Sequence, residues 1–232
     1  MKALVTGGTR GIGKSISQVL LREGYEVMIT GTSIDLSDNN AFRCFEVDFK
    51  NKHSTEKFLQ EAKSFQPEIL INNAGINIID NFTDIKEQDF DNVMRVNLKI
   101  PFLISQLVIP GMKENNFGRI VNIGSIFSSV SKERRASYSV SKFGLVGLTK
   151  ALSAELSEFN ILANCVSPGV IETRLTKEIL GIKGISEMKK KIPQGRLGSV
   201  EEVAELVFWL ASKNNSYITG QNILIDGGYT VV

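Results

Sequence analysis

The sequence predicts an α/β protein with a doubly wound, mostly seven-stranded parallel sheet, on three observations: short apolar runs, helix-period segments between them, and a glycine-rich turn straight after the first run. The runs are Leu4 to Thr6, Val27 to Thr30, Cys44 to Val47, Ile69 to Asn72, Ile120 to Ile123, Ala163 to Val166 and Ile223 to Ile225. Each reads as a strand buried on both faces. Residues 12–23, 55–65, 86–114, 138–158 and 200–212 have helical spacing and length. Their alternation with the strands implies right-handed crossovers. Pro101 and Pro110 predict a bend or break within 86–114. Between the second and third strands, Ser33, Asp35, Ser37, Asp38, Asn39 and Asn40 are turn formers, so the crossover there is expected to be shortened or missing.

Composition bounds the function. With 232 residues, 42% hydrophobic and 22% charged, one cored domain over residues 1–232 is expected, and no repeat or linker divides it. Twenty-seven Lys and Arg against 25 Asp and Glu give no charge block for a nucleic acid or a membrane, and neither partner is expected. Lys189, Lys190 and Lys191 read as a solvated helix end. Cys44 and Cys165 match no metal or redox spacing, so both read as small buried hydrophobes in a reducing compartment and no metal site is expected. His53 is the only histidine and reads as a surface residue at a helix start, a poor place for His-based catalysis. No window approaches a membrane span, and a cytoplasmic location is expected.

After the first strand comes Thr6-Gly7-Gly8-Thr9-Arg10-Gly11-Ile12-Gly13, within which a helix begins. Glycines there let the chain bend, approach a pyrophosphate and present free N–H groups to it. A dinucleotide is the natural ligand, although any tight turn uses glycine. The second strand ends in Gly31-Thr32-Ser33 with no acid to receive a ribose 2′-hydroxyl. Arg10, with Thr32 or Ser33, could hold a 2′-phosphate, which favours NADP(H) over NAD(H); the bland alternative for Arg10 is a loop cation in water. Asp48, with Phe49 beside it, is placed to accept from the adenine amino group or is an ordinary strand-end cap.

Tyr138-Ser139-Val140-Ser141-Lys142 puts a phenol and an ammonium four residues apart on one helix face. The ammonium favours the phenolate and suits the pair to proton transfer. Taken alone, the pair equally fits a half-buried tyrosine beside a snorkelling lysine. Context decides: Ser125 follows the fifth strand in Asn122-Ile123-Gly124-Ser125, at the carboxyl edge where open parallel sheets bind ligands. Asn72-Asn73-Ala74-Gly75 closes the fourth strand at that edge, and Asn97 lies in the flanking helix. Either Asn73 or Asn97 also fits a structural amide without chemistry.

These motifs, with Ser167-Pro168-Gly169, resemble the short-chain dehydrogenase/reductase family from residue 2 to about 230. The resemblance implies a Rossmann-type fold and an NADP(H)-dependent enzyme that reduces a ketone to a secondary alcohol. Ser125 would orient the carbonyl, Tyr138 act as general acid, Lys142 support it and bond the nicotinamide ribose, and Asn97 anchor a proton-relaying water. Gly7, Thr9, Arg10, Gly11, Ile12 and Gly13 would cradle the phosphates. Asn73, Ala74 and Gly75 would flank the cofactor, and Pro168, Gly169, Val170, Ile171 and Thr173 would meet its nicotinamide side. A lid over about 173–196, carrying Leu175, Ile179, Leu180, Ile182, Ile185 and Met188, would close over substrate or merely pack on the domain.

Within the family the sequence is most similar to bacterial 3-oxoacyl-[acyl-carrier-protein] reductases, in Pro168 to Thr173, Pro193 to Gly198 and Tyr217 to Gln221. This implies an acyl-thioester substrate, fatty acid biosynthesis, and a homotetramer or dimer in which Gly144 and Gly147 allow close approach of subunits. The arginines that dock the carrier protein fall at Asn116 and Phe159 here. A sugar, nucleotide-sugar or other small alcohol or ketone therefore stands as the alternative substrate. A non-catalytic dinucleotide-binding scaffold is the third reading, which Ser125, Tyr138 and Lys142 oppose.

Overall fold

In a computed structural model that describes residues 1–35 and 41–232, seven parallel strands form one sheet in the order β3-β2-β1-β4-β5-β6-β7. The strands are β1 (Lys2–Val5), β2 (Glu26–Gly31), β3 (Arg43–Glu46), β4 (Ile69–Asn72), β5 (Gly118–Ile123), β6 (Ile161–Pro168) and β7 (Asn222–Ile225). All seven expected strands form. β6 is longer than its apolar run because its polar members are bonded: Asn164 Nδ2 donates to the Ile218 carbonyl at 2.7 Å, and Ser167 Oγ donates to Asn222 Oδ1 at 2.6 Å. The expected short connection after β2 falls partly on Ser37, Asp38, Asn39 and Asn40, which lie outside the described residues.

The helices are α1 (Gly11–Arg22), α2 (Lys52–Phe65), α3 (Glu87–Met94), α4 (Ile100–Glu114), α5 (Ala136–Leu156), α6 (Arg174–Lys191) and α7 (Val200–Ala211). Strand residues alternate between two cores, as a period of two requires. Ala3 and Val5 face Ile16, Leu20, Val203 and Val207 of α1 and α7, while Leu4 faces Phe58, Ile104 and Leu152 of α2, α4 and α5. Each such buried aliphatic side chain contributes about 1.5–3 kcal/mol.

Between α3 and α4 the chain forms a π turn, Arg95–Lys99, closed by the Ile100 N–H donating to the Arg95 carbonyl. The expected interruption thus falls just before Pro101, whose ring nitrogen has no proton for the Asn97 carbonyl one turn back. Pro110 sits inside α4 without ending it. Contrary to expectation, Glu87–Glu114 is long and apolar enough by composition to cross a membrane. Its Ile100, Ile104, Val108 and Met112 recur every four residues and are buried in the second core, which accounts for that composition.

Four smaller readings have a structural outcome. His53 is exposed in the first turn of α2, and Lys189 to Lys191 are exposed in the last turn of α6. Cys165 is buried, but Cys44 is only partly so, because β3 is the sheet's edge strand. Gly144 packs within the chain: a Cβ there would lie 2.8 Å from Leu98, whereas one at Gly147 would meet nothing.

Candidate active site

The turn after β1 is built by threonines as much as by glycines. Thr6 Oγ1 accepts from the N–H groups of Asn73 and Ala74, both at 3.0 Å, and Thr30 Oγ1 accepts from that of Gly7 at 3.1 Å. Asn73 Nδ2 donates to the carbonyls of Thr6 and Gly7 at 2.9 and 3.0 Å. Asn73 is therefore a clamp that ties the end of β4 to the turn. At Gly13 a Cβ would sit 2.2 Å from the Gly7 carbonyl oxygen, so any side chain would push α1 off the turn.

The N-terminus of α1 fits a pyrophosphate: Arg10 is its N-cap without a side-chain cap bond, and no acid occupies the first turn. Arg10 is exposed in the turn after β1, and Thr32 and Ser33 are exposed after β2, which closes on Gly31, where a Cβ would lie 2.6 Å from Thr9. Asp48 is a loop cap, its Oδ1 accepting from the Lys50 N–H at 3.0 Å. Phe49 is a core residue whose ring meets Phe58 at 5.5 Å, so its side chain does not face a ligand. On the far side, a Cβ at Gly11 would lie 3.8 Å from Thr173, which brings the loop after β6 to the same turn. Thr173 is the N-cap of α6, accepting from the Thr176 N–H at 3.1 Å. Gly169 lies against Asp226, and Ile171 is buried beside Gly198.

Ser125 follows β5 by two residues, with its Oγ accepting from the Phe127 N–H at 3.2 Å, an arrangement that leaves the hydroxyl proton to donate. Tyr138 stands in the first turn of α5, its ring edge-on to Phe127 at 6.2 Å. Lys142 is buried one turn later; its Nζ donates to the Ile123 carbonyl at 2.7 Å and lies 5.6 Å from the Tyr138 ring centre. A Cβ at Gly75 would be 3.7 Å from that Nζ and 3.4 Å from Asn97 Oδ1. Ser125, Tyr138, Lys142, Asn97 and the β4 end therefore share one edge.

The side chain of Asn97 is fully engaged. Its Oδ1 accepts from the Ile76 N–H at 2.8 Å, and its Nδ2 donates to the Ile76 carbonyl at 2.9 Å and to Ser141 Oγ at 3.0 Å. A water held by Asn97 would therefore use its main-chain carbonyl, the one Pro101 does not serve.

Several positioning residues escaped the sequence reading. Asn72 Nδ2 donates to Asn122 Oδ1 at 2.8 Å, Asn122 Nδ2 donates to Thr149 Oγ1 at 2.9 Å, and Thr149 Oγ1 donates to the Leu145 carbonyl at 2.8 Å. This buried ladder fixes α5 on β4 and β5. Its signal was Asn in strands otherwise apolar, which demands an internal partner. Arg135, the N-cap of α5, was also missed. Asn116 and Phe159, by contrast, lie before β5 and β6 at the opposite edge of the sheet, where Lys113 Nζ stands 4.2 Å over the Phe159 ring.

An edge with an open helix end for a dinucleotide after β1, and a serine hydroxyl, a phenol and a lysine after β5 and on α5, defines a nicotinamide-dependent oxidoreductase acting on a CH–OH group or its carbonyl. Comparison with known proteins agrees: residues 7–230 match the family described as Enoyl-(Acyl carrier protein) reductase. The chain belongs to the short-chain dehydrogenase/reductase family. It is 38% identical to the 3-oxoacyl-[acyl-carrier-protein] reductase of Buchnera aphidicola subsp. Schizaphis graminum, over 97% of this chain and 96% of that one. Among solved structures it is similar to 4-hydroxyisoleucine dehydrogenase complexed with NADH, at 30% identity and a TM-score of 0.93 over 100% of this chain and 99% of that one. It is also similar to a putative NAD(P) dependent gluconate 5-dehydrogenase from Beutenbergia cavernae with bound NADP, at 28% identity and a TM-score of 0.92 over 100% and 97%.

Proposed function

We propose that the protein uses NADPH to reduce a ketone to a secondary alcohol, with Tyr138 as the proton donor. The observation that carries this reading is the meeting of Ser125, Tyr138 and Lys142 at one carboxyl edge beside the open N-terminus of α1. When bound, the nicotinamide supplies the hydride. Ser125 donates its free hydroxyl proton to the carbonyl oxygen and orients it. Tyr138 gives that oxygen a proton as charge develops. Lys142, held by the Ile123 carbonyl, keeps a positive charge beside the phenol and favours its ionised form after transfer. The Asn97 carbonyl holds a water through which the proton is replaced.

Cofactor preference follows from charge. Arg10, Thr32 and Ser33 are all exposed, Thr9 next to Arg10 lies against the β2 end, and β2 ends without an acid, which supports a 2′-phosphate over a free 2′-hydroxyl. Residues 173–196 serve as the lid, presenting Leu175, Ile179 and Ile182, all exposed, toward an acyl chain. That surface, and the relative named a 3-oxoacyl-[acyl-carrier-protein] reductase, support a 3-oxoacyl thioester as substrate. The uncharged Asn116 and Phe159 favour a second reading, a small polar alcohol or ketone that needs no carrier protein. The exposed Phe102, Val140 and Phe143 on α4 and α5 support a homo-oligomer, and a cytoplasmic enzyme fits two cysteines that remain thiols.

The test is fluorescence titration of the protein with NADPH and NADH, followed by turnover of an acetoacetyl thioester. NADPH should bind about tenfold tighter or more, with Arg10→Ala narrowing the gap. Equal affinities in the parent protein would refute the cofactor assignment.

A further inference from the structure

Arg135 is the one cation at this edge whose buried nitrogens lack partners. Its Nε and Nη1 are both buried and make no hydrogen bond among the described residues. These two atoms carry most of the guanidinium's N–H donors, and the group stays charged at any working pH. Burial also pushes its pKa down, against the opposing pull of the Tyr138 phenol and Glu133 nearby. Unpaired buried charge destabilises a fold unless a ligand completes it.

The position of the guanidinium says what is completed. Its Cζ lies 5.9 Å from the Phe127 ring centre, and Phe127 is the ring that meets Tyr138 edge-on. The cation therefore stands beside the proton-donating phenol, one helical turn before it. The surroundings are built to hold it there. The Arg135 carbonyl accepts from the Ser139 N–H at 2.7 Å, and Ser131 Oγ bonds Ser139 Oγ at 2.9 Å. Arg134 adopts φ +63° to turn the chain into the helix, a conformation that costs a non-glycine residue energy.

The charges around it leave room for an anion. Helix α5 has no acid in its first turn and no side-chain cap. Glu133, the acid beside it in sequence, is exposed and paired with Lys132 at 3.4 Å. Lys191 at the end of α6 also acts on Glu133, so the lid adds positive charge to this corner.

We propose that Arg135 binds a free carboxylate on the substrate, so that the enzyme acts on a short oxo acid and the corresponding hydroxy acid rather than on a neutral ketone. The planar guanidinium matches a planar carboxylate at two points, and the pair is strong because both partners are charged. The inference rests on the reading that Ser125 and Tyr138 hold the reacting carbonyl, since only then does Arg135 fix the other end of the same molecule, and it takes the second substrate reading, a small polar ketone, over the thioester, which has no free carboxylate.

The test compares acetoacetate with methyl acetoacetate, which differ in the free carboxylate alone. With NADPH, the parent protein should favour acetoacetate by about tenfold to a hundredfold in kcat/KM. Arg135→Gln should collapse that ratio toward one, and Arg134→Gln, a neighbouring exposed cation, should preserve it. The melting temperature of Arg135→Gln should stay near that of the parent, because the two buried nitrogens make no hydrogen bond that the substitution would break. A parent protein that takes the ester or dihydroxyacetone phosphate as well as acetoacetate overturns the proposal. So does an Arg135→Gln variant that loses both substrates in equal proportion and melts lower, the behaviour of a merely structural arginine. Binding of butyrate and methyl butyrate to the NADPH complex separates this inference from the reaction itself. Butyrate preference that depends on Arg135 but comes without turnover supports the carboxylate site and sinks the ketone-reduction reading. Turnover of neutral ketones without butyrate preference does the reverse.

Discussion

Helix α5, which carries Tyr138 and Lys142, is locked to the sheet by a buried ladder through Asn72, Asn122 and Thr149, whereas α6, which starts at the same edge, has no buried residue along its 18. The contrast separates two tasks. Proton transfer requires hydroxyls fixed to fractions of an ångström, and buried polar bonds supply that rigidity because each is expensive to break. A cover over the substrate must open, and a helix with few buried contacts opens at low free energy. We propose that this contrast reflects rigid chemistry beneath a loosely held lid.

The sharpest way to break it is to remove chemistry without touching structure. Tyr138→Phe deletes one hydroxyl on α5 and should lower kcat by about 100- to 10,000-fold while cofactor affinity and melting temperature stay near those of the parent. Stopped-flow turnover and a thermal melt read both quantities. Activity within tenfold of the parent would mean that another group donates the proton.

Next in size comes the ladder itself. Asn122→Ala strands the Asn72 amide in the core and removes the donor to the Thr149 oxygen, which costs about 1–3 kcal/mol, or a drop in melting temperature of about 2–10 °C. Because the ladder positions α5, kcat should fall with stability even though Asn122 touches no substrate. An unchanged kcat at reduced stability would show that α5 is positioned by its apolar packing alone.

How much of this was legible in the sequence follows from the same physics. The strands were legible because apolar runs buried on both faces have few other uses, and the glycine turn because only that residue fits where Gly13 meets Gly7. Ser125 was legible because it follows the fifth strand, and Tyr138 and Lys142 because their four-residue spacing puts them on one helix face beside it. The ladder was not, since Asn in a strand looks like an interruption until its partner fifty residues away is known. Arg135 was hidden for the opposite reason: in Lys132-Glu133-Arg134-Arg135 it reads as one more solvated charge, and only its burial over Phe127 sets it apart. The engagement of the Asn97 side chain by Ile76 and Ser141 depended on a π turn that periodicity does not announce.

The smallest expected effect lies in the lid. Gly181 interrupts α6 at φ +60° and ψ −179°, a region open essentially to glycine alone, and a Cβ there would meet nothing within 4 Å. Gly181→Ala therefore introduces backbone strain without a clash, about 1–3 kcal/mol, which α6 relieves by straightening. Because no α6 residue is buried, that strain should stay local, moving the melting temperature by no more than about 1 °C. Substrate KM should change by about two- to fivefold, since the cover no longer bends at the same point. A fall in melting temperature as large as that of Asn122→Ala would show that α6 unfolds with the core, and the division between rigid edge and loose cover would not hold.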